Sequence, residues 1–414
     1  MAELFKVTLE KWVYGGDCLG RLPDGRAVFV PFVLPGEVVR VAIVEDKKRF
    51  ARAWPVEWLE TSPSRIQPRC IHFAECGGCQ YQHLAYADQL EIKNEIMIDQ
   101  LRRLGKVETP PVAPIVPSPE PWNYRNHVQF HLGLEGELGY IHTDGSHLLP
   151  IQECHLPNLA INALWPQLDL DPESDLHRLG IRQDSYDELM LIMEGESDTP
   201  PDFSVDIPVS AVYTPPDANL TVMAGDDHLT YTLLEMNFQV SARSFFQVNV
   251  PIAEKMIHYI LDRLQLKKDS RVIELYAGVG LFSAFIAPRV GHLTAVESSG
   301  SACHDFVANL GNAENVVLYE AQAEEVLPTI NIEMDLLVTD PPRSGWAPEV
   351  HDALNKLKPR QICYISCDPA TLARDTRKIL SKGYRLVSVQ PFDQFPHTSH
   401  IESISFFELI LDED

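Results

Sequence analysis

The first sixty residues alternate apolar and polar positions in short runs. FKVTLEKWV, RAVFVPFV, EVVRVAIVE and FARAWPVEWL are rich in valine and aromatics, and a period of two marks strands with one buried face. GGDCLG, LPDG and LPGE punctuate them with turn chemistry. The pattern predicts a small β-barrel of OB type over residues 1–60. Such a barrel either presents a face to nucleic acid or serves structure alone, and periodicity leaves both open. A Cys-rich stretch follows. Residues 86–105 then turn helical, with Leu90, Ile92, Ile96, Ile98 and Leu101 as an apolar stripe. Residues 123–240 read as mixed or β structure with turns at LEGELG and HTDGS.

From about Ala253 helix and strand alternate. RVIELY, HLTAVE, MDLLVTD, RQICYIS, RLVSVQPF and SISFFELIL read as strands. AEKMIHYILDRLQL, GLFSAFIA, SACHDFVANLG, PEVHDALNKL and PATLARDTRKILSKG read as helices. This predicts an α/β, Rossmann-like domain: a doubly wound sheet of parallel strands with its ligands at their C-terminal ends. Three domains are expected, at 1–60, 61–240 (a mixed central domain) and 241–414, and the helix near 86–105 can pack on the third.

Composition is ordinary for a globular chain, with 45% hydrophobic and 22% charged residues. No run of eighteen apolar residues predicts a membrane span, and MAELFKVTLEKW lacks the layout of a signal peptide, so a cytoplasmic location is expected. The net charge of −25 is awkward for a nucleic-acid binder, which normally neutralises phosphates with a basic surface. The acidity is concentrated, however. Residues 169–227 hold 15 Asp and Glu against 2 Arg and no Lys, whereas residues 1–60 hold 9 charges of each sign. Lys47-Lys48-Arg49 with Phe50 is a candidate phosphate and stacking contact, or a plain solvated loop.

Four stretches carry candidate chemistry. Glu274-Leu275-Tyr276-Ala277-Gly278-Val279-Gly280 leaves a strand and opens a helix, and the next strand ends at Glu297. Glycines allow close backbone approach to a ligand, and an acid at that position suits ribose hydroxyls. The E-x-Y-x-G-x-G form looks more like the first motif of S-adenosylmethionine enzymes than the G-x-G-x-x-G of NAD enzymes. Cys367, in YISCDPATLARD, lies at the C-terminal edge of the sheet before a helix. The helix N-terminus favours thiolate and Asp368 opposes it, so the net shift is unreadable. Asp340-Pro341-Pro342-Arg343 forms a rigid turn on the same edge. Glu402, entering the last strand, is a candidate proton acceptor, although its position alone favours a solvated surface residue. Finally, Cys70-x5-Cys76-x2-Cys79 with distant Cys154 offers four thiolates, which suit zinc or an iron–sulfur cluster.

Together these stretches resemble the RNA uracil-5-methyltransferase family, particularly its 23S rRNA members. The resemblance runs through GGDCLGRLPDGRAVFVPFVLPGE, similar to the family's TRAM domain, and CIHFAECGGCQYQHLAY, similar to its iron–sulfur motif. It continues through SFFQVN, ELYAGVGLFS, TDPPRSG and SCDPATLARD to FDQFPHTSHIES. It implies methyl transfer from S-adenosylmethionine to carbon 5 of a uridine, with Cys367 as nucleophile and Glu402 as base. It places Gln247, Tyr276, Gly278 and Glu297 at the cofactor, and Asp340 between cofactor and uracil. It also implies a 4Fe–4S cluster on Cys70, Cys76, Cys79 and Cys154. One departure is Gln322, where the family commonly has an acid that contacts adenine. The expected partner is RNA, 23S rRNA before tRNA, since some tRNA enzymes share the layout. No membrane and no obligate protein partner are implied. Two alternatives stay open: a non-catalytic RNA binder, and an enzyme of this fold with another acceptor.

Overall fold

A computed structural model describes residues 3–202, 204, 207–215, 220–330 and 333–411 of the chain. Parts of the acidic segment, at 203, 205, 206 and 216–219, therefore lie outside the described residues.

Strands β1 (Leu4–Trp12), β2 (Asp17–Arg21), β3 (Ala27–Pro31), β4 (Val38–Asp46) and β5 (Phe50–Glu60) close into a barrel in the order β1-β2-β3-β5-β4. Alternation sends Val7, Leu9, Cys18, Val28, Val30, Val39, Val41, Ala51 and Ala53 inward, all with almost no exposure. GGDCLG is only partly the turn expected of it, because Asp17–Arg21 is strand. Gly20 belongs to that strand: a Cβ there would lie 2.4 Å from Val7 Cγ1, so the bare backbone lets β1 and β2 close.

Helix α1 (Tyr86–Arg103) follows the Cys-rich loop. The middle of the chain then builds one seven-stranded sheet from β6 (His127–Leu132), β7 (Leu138–Ile141), β8 (Leu148–Pro150), β9 (Leu176–Gln183), β10 (Leu189–Gly195), β11 (Ser210–Thr214) and β12 (Thr221–Ala224). A short helix, α2 (Leu159–Leu164), caps one face. The strand order is β12-β11-β10-β9-β6-β7-β8. The Cys-rich loop bonds just past the end of β7 through the bridge between Cys76 and His142. The strands of the acidic segment, β9 to β12, form the other side of the sheet.

A hairpin, β13 (His228–Leu233) and β14 (Met236–Ser241), leads through α3 (Val250–Arg263) into the α/β layer. There β15 (Arg271–Leu275), α4 (Leu281–Ile286), β16 (His292–Glu297), α5 (Gly300–Leu310), β17 (Val316–Glu320), α6 (Ala323–Val326), β18 (Leu336–Thr339), α7 (Pro348–Leu357), β19 (Gln361–Ser366), α8 (Pro369–Leu380), β20 (Tyr384–Phe392) and β21 (Glu402–Leu409) follow one another. The sheet order is β17-β16-β15-β18-β19-β21-β20. The order reverses at β15, which opens a crevice at the C-terminal strand ends. Five strands are parallel as expected. The exception is β21, which runs antiparallel to both β19 and β20, so that β20 points the same way as the other five. Only residues 393–401 join β20 to β21, without a helix, which is too short a connection for a parallel crossover.

Helix α1 leaves the central region and lies against α8. Its Ile92, Ile96, Met97 and Leu101 share one buried cluster with Leu372 and Ala373. No helix among the described residues is long and apolar enough to cross a membrane.

Candidate active site

The antiparallel return of β21 sets the central geometry. Ser366 pairs with Ser403 across β19 and β21. Continuing that register by one step sets Cys367 opposite Glu402. Glu402 is the first residue of β21 and is only 5% exposed, which corrects the solvated surface position that its sequence context favours. Burial, and then the neighbouring charge of Asp340, push its carboxyl well above the usual range, with Arg343 opposing. Asp340 directly follows β18, and its backbone N–H donates to Leu275 O at 3.3 Å. Burial raises its carboxyl to about 7. The two acids thus form a coupled pair that resists double ionisation.

Cys367 is half-buried beside this pair. Burial and then the charges of Glu402 and Asp340 lift its thiol to about 12, while Arg343 lowers it and Asp368 raises it. The opposing influences that sequence could not balance therefore resolve toward the neutral thiol. Asp368 caps α8, accepting from Thr371 N at 2.7 Å.

The nucleotide-type turn occupies the crevice at β15. Tyr276 and Gly278 both have positive φ, 60° and 55°. Nothing lies within 4 Å of the direction a Cβ on Gly278 would take, so the turn borders open space. Glu297, at the end of β16, accepts from Gly278 N at 2.9 Å and from Ser298 N and Ser299 N at 2.8 and 2.7 Å. Oε1 takes both serine donors, whereas Oε2 takes only the Gly278 N–H and keeps a lone pair for a further donor. These residues fit a ribose-bearing ligand: a carboxylate already oriented, beside an unfilled backbone cradle. Gln322, the unusual amide after β17, is exposed as the residue before α6.

Gln247 meets the segment that leads to Glu402. Its side-chain oxygen accepts from Gln394 Nε2 at 3.0 Å. The other Gln394 atom, Oε1, is buried without a protein partner, as are Asn249 Oδ1 and His397 Nε2. Sequence reading passed over Gln394, although it lies in the FDQFPHTSHIES stretch. It also passed over Lys93, Trp122 and His397. Lys93 on α1 makes a buried ion pair with Asp393 at 2.5 Å and donates to Phe395 O at 2.9 Å. Trp122 stacks on His397 at 3.5 Å, and Arg69 lies over the outer Trp122 face at 5.2 Å. Lys47, Lys48 and Arg49 stay in the loop between β4 and β5, and Lys47 pairs with Glu45 at 3.0 Å.

Away from this edge, Cys70, Cys76, Cys79 and Cys154 share the wall of one cavity of about 220 Å³, with His72, Phe73, Tyr140 and Arg125. All are free thiols. Burial raises all four, and the charge of other cysteines in the set adds to the rise at each. Four mutually opposing sulfurs in one cavity fit a cationic thiolate-bound group.

A family profile described as tRNA (Uracil-5-)-methyltransferase matches residues 225–409, and a TRAM domain profile matches residues 3–56. An uncharacterized RNA methyltransferase of Aquifex aeolicus is 34% identical over 98% of both chains. The chain belongs to the RNA uracil-5-methyltransferase family. A second such relative, from Halalkalibacterium halodurans, is 31% identical over 98% of this chain and 97% of its own. The tRNA (uracil-54, C5)-methyltransferase of Pyrococcus abyssi, solved with S-adenosyl-L-homocysteine, shares the fold: TM-score 0.74, 24% identity, covering 97% of this chain and 99% of that one. As an RNA methyltransferase of this family, the protein uses S-adenosylmethionine and carries its TRAM domain in the N-terminal barrel.

Proposed function

We propose that this RNA uracil-5-methyltransferase modifies a uridine of 23S rRNA through a covalent adduct between Cys367 and carbon 6, with Glu402 as the base. The observation that carries this is the register of β19 and β21, which sets a thiol opposite a buried carboxyl.

Carbon 5 of uracil is a poor nucleophile. Addition of the Cys367 thiolate to carbon 6 makes it an enolate carbon. When bound, S-adenosylmethionine would supply the electrophilic methyl. Tyr276, Gly278 and Glu297 are the residues that would hold it, and Gln247 borders the same edge through Gln394. Asp340 orients the uracil ring. After alkylation, carbon 5 still carries a hydrogen. Glu402 takes that proton, the carbon 5–carbon 6 double bond forms again, and the sulfur leaves as thiolate. The raised basicity of Glu402 suits that removal.

The four cysteines would hold a 4Fe–4S cluster. The sequence resemblance favours that cluster over zinc, which four thiolates also suit. The choice of 23S rRNA rests on the sequence resemblance, and tRNA is the competing substrate.

The test is nucleoside mass spectrometry after incubation with S-adenosylmethionine and unmodified 23S rRNA or tRNA. New 5-methyluridine only in rRNA is expected. The same product only in tRNA overturns the substrate. RNA carrying 5-fluorouridine should become attached to Cys367, because fluorine cannot leave as a proton. Active protein that never traps it sinks the covalent mechanism.

A further inference from the structure

The turn at residues 13–16, between β1 and β2, reaches out of the barrel into the catalytic edge. Its Tyr14 hydroxyl donates to Asp368 Oδ2 at 2.6 Å. The other oxygen of Asp368 is already used by the α8 cap, and the Asp368 N–H donates to Ser366 Oγ at 3.2 Å. The residue after Cys367 is therefore held at every polar atom, and one of the holders comes from another domain. The same turn also meets the segment carrying the base. Gly16 is so close to Gln80 that a Cβ would lie 2.8 Å from the Gln80 Cβ and 3.5 Å from that of Ser399. Gln80 Oε1 in turn accepts from Ser399 N at 3.0 Å. One short turn of the TRAM barrel thus touches both sides of the reacting pair.

We propose that Tyr14 is a positioning residue for the methyl transfer, acting through Asp368 to hold Cys367 in place and to draw the Asp368 charge away from its sulfur. The proposal rests on Cys367 being the nucleophile. Five groups face or border that thiol: Glu402 from β21, Asp340 and Arg343 from the turn after β18, Asp368 at the head of α8, and Tyr14 from the barrel. Burial and the Asp368 hydrogen bond keep the Tyr14 hydroxyl protonated well beyond its ordinary range, so it stays a donor wherever the enzyme works. Of the five, Tyr14 is the neutral donor whose removal leaves the barrel, the α8 cap and the two catalytic acids in place. Phenylalanine keeps the ring and deletes only the hydroxyl.

The experiment uses the full-length protein and the Tyr14→Phe variant. Iodoacetamide labelling of Cys367, read on its own peptide by mass spectrometry across about pH 6 to 10, reports thiolate directly, without RNA or cofactor. Tyr14→Phe should move the labelling profile toward higher pH and slow labelling about tenfold at a fixed pH for each unit moved. In an Asp368→Asn background, which keeps the helix cap, the same change should be silent. With 5-fluorouridine RNA, the trapping rate at saturation should fall several-fold while RNA affinity stays within twofold. An unmoved labelling profile overturns the proposal, and so does a loss of affinity with the saturating rate intact. Wild-type protein that labels normally but never traps RNA overturns the covalent mechanism instead, so the two failures are distinct.

Discussion

Glu274 lies inside β15 with 2% exposure, and its carboxylate accepts from Ser283 Oγ at 2.6 Å. Burial lifts its carboxyl from 4.5 to about 8. A raised folded pKa means that the folded state binds the proton more tightly. Its stabilising contribution is complete below pH 4.5 and is lost as pH rises through 8. Thermal unfolding should therefore show stability declining over that window, by no more than about 1.4 kcal/mol per pH unit for this group. Glu274→Gln, neutral at every pH, should flatten the decline; an unchanged slope would assign it elsewhere. The same reasoning reaches the reaction at Asp340 and Glu402. Glu402 must be ionised to accept a proton, so turnover should climb as pH rises through the raised pKa of the pair. Asp340→Asn removes the charge that opposes this ionisation. Its residual activity should rise at a lower pH than in the wild type, and a midpoint that stays put would mean that the acids are not coupled.

At the scale of elements, residues 393–401 are braced by α1. Lys93 and Asp393 are both fully buried, and Tyr86 also donates to Asp393, at 2.7 Å. Lys93→Met leaves a buried carboxylate without its cation, a change that costs about 3–5 kcal/mol. Adding Asp393→Leu should recover part of the loss in a denaturant titration; a double variant no more stable than the single would show that the ion pair is not the brace. Legibility differed sharply among such elements. PEVHDALNKL matches α7 residue for residue because its ends carry proline and its apolar positions are regular. The hairpin β13–β14 was hidden because its two-residue loop is Leu234-Glu235, with φ of 45° and 66°. Such loops ordinarily announce themselves with Asn or Gly. Strand β17 escaped because its residues are mostly exposed or half-exposed, and β2 because its glycines read as a turn. The proposed nucleophile and base, Cys367 and Glu402, lie in long motifs that drew attention to them. Their juxtaposition was not legible, since it comes from an antiparallel strand in a sheet whose alternation implied parallel ones. Tyr14 carried no signal at all, because its partner lies 354 residues away.

For the whole molecule, the distribution of charge matters more than its sum. Glu196, Asp198 and Asp202 are exposed on the side of the central sheet away from the Cys-rich loop. Replacing them with Gln, Asn and Asn should leave RNA affinity within about twofold at moderate salt. Arg69, exposed over Trp122 beside the catalytic edge, should behave differently. Arg69→Ala should weaken RNA binding several-fold and reduce the salt dependence by about one phosphate contact. Filter binding over a salt series measures both. A strong gain from the acidic triple variant would mean that RNA crosses the acidic side.

The antiparallel placement of β21 also has a consequence for the order in which the enzyme comes into being. Glu402 is synthesised after every other strand of its sheet, yet β21 must insert between β19 and β20, both made earlier. Until β21 pairs, β19 lacks its neighbour on that side and Cys367 has no Glu402 opposite it. On the proposed mechanism, a chain in which β21 has not yet paired would therefore not complete the reaction.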